Sequence, residues 1–436
     1  ENAAKEEKRK NLANCRSGEY EGLPNKLVNP EWKPDYGPNT FNESVKKSGA
    51  TAISARDFLI AYNINLNTTS TRRANAIAFD IREAGRVKRE GNTLNGKIIK
   101  DEQGNPIKEP GKLKCVKGIG WYIEEYGIAQ ISYNLTNISV TPMHIAFHET
   151  CKSADARGLR VTGSELVGLV PLKAMLDAAD YYLTLQNRSL GIDESEKIKI
   201  AIKSLGLDDL KPFNPKERII EYMLEENTSK LIDMNLVQFA NETASESPAP
   251  GGGSISAYMG VLGVSLGTMV ANLSAHKRGW DDKWEEFSKW ASLGQKYKDE
   301  LLHLVDEDTN AFNKIMEAYG LPKASKEEKE DRNKAIQEAT KYAIEIPFQV
   351  MKTCYASMEV MQAMAQSGNP NSITDAGVGA LAARSGVLGA FMNVKINTAD
   401  LNDKSYVEKI IAEGNEIQEK AIELEREIVQ LVNQKI

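Results

Sequence analysis

One acidic residue interrupts an otherwise apolar helical stripe. From Tyr297 the apolar positions recur at three- and four-residue spacing through Leu301, Leu304, Val305, Phe312, Ile315 and Tyr319, and Asp308 fills the place between Val305 and Phe312. A carboxylate turned toward a core loses hydration, so it holds its proton closer to neutrality, as a general acid or base must. The same placement also suits an aspartate that pairs with a buried arginine or caps a neighbouring helix. Asp306 and Glu307 fall to the sides of the stripe and read as solvated charge.

A second feature is Ser247-Pro248-Ala249-Pro250-Gly251-Gly252-Gly253-Ser254, followed by a run rich in Gly, Ala and Ser. The prolines forbid helix and the glycines leave the backbone bare, so a helix starts here with unpartnered N–H groups at the positive end of its dipole. Such a start receives an anion or a close-packed ligand; alternatively the segment is a glycine-rich linker. Other motifs are less telling. His144 and His148 lie four apart, but no H-E-x-x-H order or third ligand accompanies them, so no metal site is expected. Gly118-Ile119-Gly120 is too short and wrongly placed for a dinucleotide fingerprint. Gly260, Gly263 and Gly267 read as permits for close helix crossing, and Trp280, Trp284 and Trp290 as packing or a partner surface.

These residues must be held by two kinds of architecture. Up to about residue 225, strand and helix signals alternate. Strands are expected at Phe58–Leu66, Gly127–Leu135 and Leu159–Val170. Helices are expected from Ser70 to about Glu90, from Thr141-Pro142 to Gly158, and from Pro171 to about Leu185. Residues 92–112 read as a solvated loop or hairpin excursion, and the charged opening run, 1 to about 14, reads as helix. The order predicts an α+β domain with helices on one face of a mostly antiparallel sheet. After 229 the strand signals vanish. Helical periods follow at about 229–243, 253–276, 281–319, 325–367, 372–392 and 404–435, with stops such as Gly320-Leu321-Pro322 and Gly368-Asn369-Pro370, predicting an all-α bundle.

At 436 residues the chain accommodates two or three domains, and its 41% apolar and 27% charged content is that of a globular protein. A net charge of −6 without a basic stripe argues against nucleic-acid binding. No uninterrupted apolar run of membrane-crossing length is evident, so no membrane association is expected. Cys15, Cys115, Cys151 and Cys354 are scattered without a C-x-x-C pair and read as reduced thiols of a cytoplasmic protein.

The Ser245–Ser254 segment with its Gly/Ala helix, and Leu304-Val305-Asp306-Glu307-Asp308 downstream, resemble the cyclodeaminase part of the formimidoyltransferase-cyclodeaminase family. Gly18-Glu19-Tyr20-Glu21, Phe58–Leu66, Gly118–Tyr122, Val161–Lys173 and Pro215–Tyr222 resemble its transferase part. The similarity runs in one order from about residue 8 to about 430. It implies a division into 1–55, the remnant of a first transferase subdomain with its folate loop; 56–226, a second transferase subdomain; and 227–436, linker and cyclodeaminase. By this resemblance the chain lacks most of the first transferase subdomain, including the family's catalytic histidine, which neither His144 nor His148 matches.

The resemblance implies folate-dependent histidine degradation. A transferase, incomplete here, moves the formimino group of N-formimino-L-glutamate to tetrahydrofolate. A cyclodeaminase then converts 5-formimidoyltetrahydrofolate to 5,10-methenyltetrahydrofolate and ammonia. The family's catalytic carboxylate falls on Asp308, and its folate loop on Gly37, Pro38, Asn39, Thr40 and Phe41, reaching Gly49; Asn42 to Ser48 is longer and more polar than the family segment. Gly251, Gly252, Gly253 and Ser254 are expected to hold folate against bare backbone, with Asp375, Asn393 and Asn397 as supporting candidates. Tetrahydrofolate, polyglutamylated, is the expected carrier, and a homo-oligomeric ring of dimers the expected assembly. Two alternatives stand beside this reading: a methenyltetrahydrofolate cyclohydrolase, which adds water instead of losing ammonia, and a non-catalytic folate-polyglutamate binding module.

Overall fold

The computed structural model describes residues 12–53, 57–92, 96–224 and 230–436. The chain forms two compact units, 1–161 and 162–436, each with its own contacts. Of the opening run expected to be helical, residues 1–11 lie outside the described residues. Three short helices follow: α1 (Leu12–Arg16), α2 (Leu23–Val28) and α3 (Glu43–Ser48). The polar Asn42 starts α3 by accepting the Val45 N–H at 3.0 Å.

Within the first unit, β1 (Ile60–Leu66) precedes α4 (Thr71–Ile81); the hairpin β2 (Arg86–Val87) and β3 (Lys108–Glu109) follows, then β4 (Val116–Ile123), β5 (Ile128–Leu135) and α5 (Met143–Asp155). β5 pairs antiparallel with β1 on one side and β4 on the other. α4 lies against β4 and β5. Three expectations are corrected here. The first strand starts at Ile60, and Phe58 is 63% exposed. The helix from Ser70 ends at Ile81 rather than near Glu90, because Gly85 turns the chain at φ +58° and Arg86–Val87 pairs with Lys108–Glu109. β4 was not foreseen: its glycines face inward, where a Cβ on Gly118 would stand 2.5 Å from the Tyr133 ring and one on Gly120 2.4 Å from the Asn75 nitrogen. Ile119 and Trp121 point outward, so the ordinary alternation is inverted.

The second unit begins with β6 (Val161–Val167), α6 (Leu172–Leu185), α7 (Glu194–Leu205), α8 (Pro215–Arg218) and α9 (Ile220–Leu224). α10 (Leu236–Thr243) starts later than expected, behind a 3₁₀ turn at Leu231–Asp233, and residue 229 lies outside the described residues. The bundle then comprises α11 (Gly252–Ala275), α12 (Trp284–Gly320), α13 (Lys326–Ser367), α14 (Ile373–Asn397) and α15 (Lys404–Asn433). The fold is therefore an α/β region with an antiparallel sheet followed by an all-helical region. α11 is the axial helix, packed on α12, α13 and α14. Its small residues allow this: a Cβ on Gly260 would reach 2.4 Å from the Cys354 sulfur, and one on Gly263 2.7 Å from the Gly379 carbonyl. Trp280 stacks on Phe287 with ring centroids 5.5 Å apart.

α11, and α14 with its preceding turn, are long and apolar enough on average to cross a membrane by composition alone, although polar residues interrupt both; 61% and 50% of their most apolar stretches are buried inside the protein.

Candidate active site

The site is built where α11 begins against the middle of α12. Gly251 is the N-cap of α11 and has no side chain with which to cap it. The cap comes from α12 instead: the Ser254 N–H donates to Asp308 Oδ2 at 2.9 Å. The Ser254 hydroxyl lies 3.1 Å from the same oxygen and 2.9 Å from the Val305 carbonyl. Asp308 Oδ1 occupies the space where a side chain at residue 253 would sit, since a Cβ there would be 2.0 Å from it. Gly253 is thus required by close approach.

Asp308 is half-buried. Burial pushes its carboxyl above the usual range, and the two Ser254 hydrogen bonds offset only part of that rise. No charged group contributes. Oδ1 makes no hydrogen bond among the described residues, so the carboxyl has one anchored oxygen and one available. The aspartate is thus both the helix cap and a group poised to exchange a proton.

Its neighbours in sequence do other work. Asp306, expected to be solvated, accepts the Leu231 N–H at 2.8 Å and holds the turn before α10. Burial raises its carboxyl too. Glu307 accepts from the Tyr342 hydroxyl and from Asn310 Nδ2; burial pushes it up, but these bonds and nearby cations outweigh burial and the net direction is downward. The stripe also departs from expectation past Asp308. Ala311 faces the core, whereas Phe312 is 41% exposed.

The other named residues divide by distance. Asn393, on α14, stands beside the mouth: a Cβ on Gly252 would meet its Nδ2 at 3.2 Å. Gly251 and Gly252 remain at least partly open to solvent, whereas Gly253 and Ser254 are buried. Ser254 is 0% exposed and its donors point at α12, so it does not offer itself to a folate. Asn397 is a structural residue. Pro347 lies inside α13 and has no N–H for the carbonyl of Ala343 four residues back, and Asn397 Nδ2 donates to that carbonyl at 2.7 Å. Asp375 sits in the first turn of α14, five helical turns before Asn393 and so about 27 Å away along the axis, far from the mouth.

In the first unit, Gly37 (φ +84°) opens a turn that leads into α3 and Gly49 (φ +66°) ends that helix; before it, Phe41 meets Tyr20 edge-on at 6.0 Å. The Tyr20 hydroxyl donates to the Lys46 carbonyl at 2.7 Å and ties α3 down. His144 is buried on α5, and among the described residues no group of three His, Cys, Asp or Glu side chains converges.

Comparison with known proteins places this geometry. The formiminotransferase-cyclodeaminase model matches residues 235–416, the formiminotransferase domain 61–225, and that domain's N-terminal subdomain 1–56. A formimidoyltransferase-cyclodeaminase of Gallus gallus is 41% identical over 93% of this chain and 71% of its own length. The chain belongs to the formimidoyltransferase-cyclodeaminase family. A Dictyostelium discoideum member is 39% identical over 99% of this chain and 76% of its own. A methenyltetrahydrofolate cyclohydrolase of Methylorubrum extorquens is 33% identical over 45% of this chain and 95% of its own length. Asp308, Ser254 and Asn393 all fall within the formiminotransferase-cyclodeaminase match, and the Gly37–Gly49 loop falls within the N-terminal subdomain match. Of the alternatives its placement left open, Asp308 does cap a neighbouring helix; that the partner is Ser254 was not foreseen, although the absence of any capping side chain at Gly251 was the signal for it.

Proposed function

We propose that this chain is a folate enzyme of histidine breakdown, whose helical unit closes 5-formimidoyltetrahydrofolate to 5,10-methenyltetrahydrofolate with release of ammonia. The observation that carries this reading is Asp308: half-buried, with no cation partner and one oxygen unbonded among the described residues, at a glycine-lined helix start in a chain of this family. N10 attacks the carbon of the protonated N5-formimino group and forms the new C–N bond. Asp308 takes the N10 proton and returns it to the departing nitrogen; the C–N bond to that nitrogen breaks and ammonia leaves. The positive charge of the amidinium passes to the methenyl product, so atoms and charge balance. A carboxyl of raised proton affinity suits both halves of this shuttle.

The N–H groups of Gly252 and Gly253 have no acceptor among the described residues. With Asn393 beside them, they offer a bare edge for the folate. The transferase part, with 1–55 and 56–226 as its two segments before a cyclodeaminase part at 227–436, uses N-formimino-L-glutamate and tetrahydrofolate, with Gly37–Phe41 and Gly49 as the folate loop. Tetrahydrofolate is substrate and carrier, polyglutamylated. A homo-oligomer is supported by apolar side chains exposed along the two packed helices α11 and α14, among them Leu262, Met269, Leu273, Val378, Met392 and Ile396. Cys115, Cys151 and Cys354 form no disulfide among the described residues, which supports a reducing, cytoplasmic setting.

The match to nearly the whole of a cyclohydrolase favours a second reading of the helical unit, in which water attacks the methenyl carbon. Ammonia release from 5-formimidoyltetrahydrofolate decides between them. Stoichiometric ammonia supports the cyclodeaminase; hydrolysis of methenyltetrahydrofolate with no ammonia from the formimidoyl substrate supports the cyclohydrolase.

A further inference from the structure

The Asp308 carboxyl is asymmetric, and one residue makes it so. Oδ2 receives the Ser254 N–H at 2.9 Å and stands 3.1 Å from the Ser254 hydroxyl. Oδ1 lies in the space above the bare Cα of Gly253 and has no donor among the described residues. A proton placed on Oδ2 would confront the Ser254 N–H head-on, whereas one on Oδ1 meets nothing. The Ser254 hydroxyl has one proton and two acceptors in reach, Oδ2 and the Val305 carbonyl at 2.9 Å. It therefore turns toward Oδ2 when the carboxyl is charged and toward Val305 when it is neutral. A side chain that is 0% exposed makes that turn without competing water.

We propose that Ser254 is a positioning residue for the cyclodeaminase step: it dedicates Oδ2 of Asp308 to the fold, leaves Oδ1 as the oxygen that carries the proton, and stabilises the charged form through a hydroxyl that follows the carboxyl's state. This rests on the reading of Asp308 as the proton shuttle. The groups around the carboxyl leave Ser254 as the adjustable element. α11 presents Gly253 and Ser254, neither of them charged. On α12 itself, Asp306 is bound to the Leu231 N–H and Glu307 to the Tyr342 hydroxyl of α13. From α14 the neutral Asn393 stands at Gly252. Burial raises the carboxyl and the two Ser254 bonds lower it, so removing the hydroxyl raises it further.

The test is the pH dependence of ammonia release from 5-formimidoyltetrahydrofolate by the full chain and by Ser254→Ala, Ser254→Cys and Ser254→Thr, with Asp308→Asn as reference. The rate rises with pH as Asp308 loses its proton. In Ser254→Ala that rising limb is expected to move to higher pH by about one unit, the size of one hydrogen bond to a charged group. Ser254→Thr, which keeps the hydroxyl, returns it toward the parent position. If Ser254→Ala does not fold, Ser254→Cys, whose thiol is a weak donor, carries the same expectation with a smaller shift. A limb that stays in place in the folded variants overturns the role given to Ser254, while an inactive Asp308→Asn leaves the shuttle intact. Normal turnover by Asp308→Asn removes the shuttle itself.

Discussion

Asp80 in the first unit and Asp308 in the second are both partly buried carboxylates, and their surroundings differ. Asp80, at the end of α4, is held by Arg86, by Arg157 at 2.5 Å and by the Ser153 hydroxyl at 2.7 Å. Both of its oxygens are engaged, and two cations stand against its charge. Among the described residues Asp308 has no cation, two donors from a single residue and one oxygen unbonded. Burial alone therefore does not mark a functional acid. Asp80 has its charge matched by two arginines, whereas Asp308 has no such partner among the described residues.

Neutral replacements break this comparison most directly. Asp308→Asn keeps the shape and a capping oxygen for Ser254 but cannot exchange a proton, so turnover is expected to fall about a hundredfold or more. Its thermal midpoint should be unchanged or higher, because a carboxyl raised by burial costs stability once ionised. Asp80→Asn should do the reverse, losing about 2 kcal/mol of stability as two arginines lose their partner. Ammonia assays and melting curves on the pair measure both effects. Loss of stability without loss of turnover in Asp308→Asn would make that residue a helix cap only.

The glycine mouth offers a graded series of smaller effects. An added Cβ at residue 253 would stand 2.0 Å from Asp308 Oδ1, at 252 3.2 Å from the Asn393 amide, and at 251 it meets nothing within 4 Å. Gly253→Ala should therefore displace the carboxyl and cost most of the turnover, about tenfold or more. Gly252→Ala should weaken substrate binding, read as a higher KM with kcat nearly kept. Gly251→Ala should be nearly silent. Equal effects across the three would mean that backbone freedom, not contact, is what these glycines provide.

This series also separates what the sequence could reveal from what it could not. The bundle helices were legible because apolar positions recur at 3.6-residue spacing and because α12 to α15 end on or just before Gly or Asn. Asp308 was legible for the same reason. β4 was hidden because Gly118 and Gly120 fill its inward positions, leaving Ile119 and Trp121 outside. Asp306 was misread because its partner, the Leu231 N–H, comes from another element far back in the chain. α7 was overlooked although Asp193 caps it and Gly206 ends it in the left-handed region. Pro347 inside an apolar period announced an unpaired carbonyl, but only the fold shows that Asn397 supplies the donor.

Asn397 tests the division between structure and chemistry at lower cost. Asn397→Ala leaves the Ala343 carbonyl without its donor and should lower stability by about 1–2 kcal/mol, with turnover near normal. A fall in turnover at unchanged stability would instead make Asn397 part of the site with Asn393.

The smallest expected effect concerns His276, at the end of α11. Its Nε2 accepts the Ser189 N–H at 3.1 Å, which requires a neutral ring. Burial, then the nearby Arg188, lower its proton affinity in the folded state. The unfolded chain therefore binds the proton more readily, and this contribution is fully present above the ordinary histidine value of about 6.5 and lost as pH falls through the depressed folded value. Melting curves between pH 7.5 and 5 should show the parent losing more stability than His276→Gln, whose amide does not titrate. Because His276 lies at the opposite end of α11 from Gly252, the substitution should leave the Asp308 rate profile where it was. A shift of that profile would mean that the two ends of the helix are coupled, and that the free oxygen of Asp308 is governed by more than Ser254.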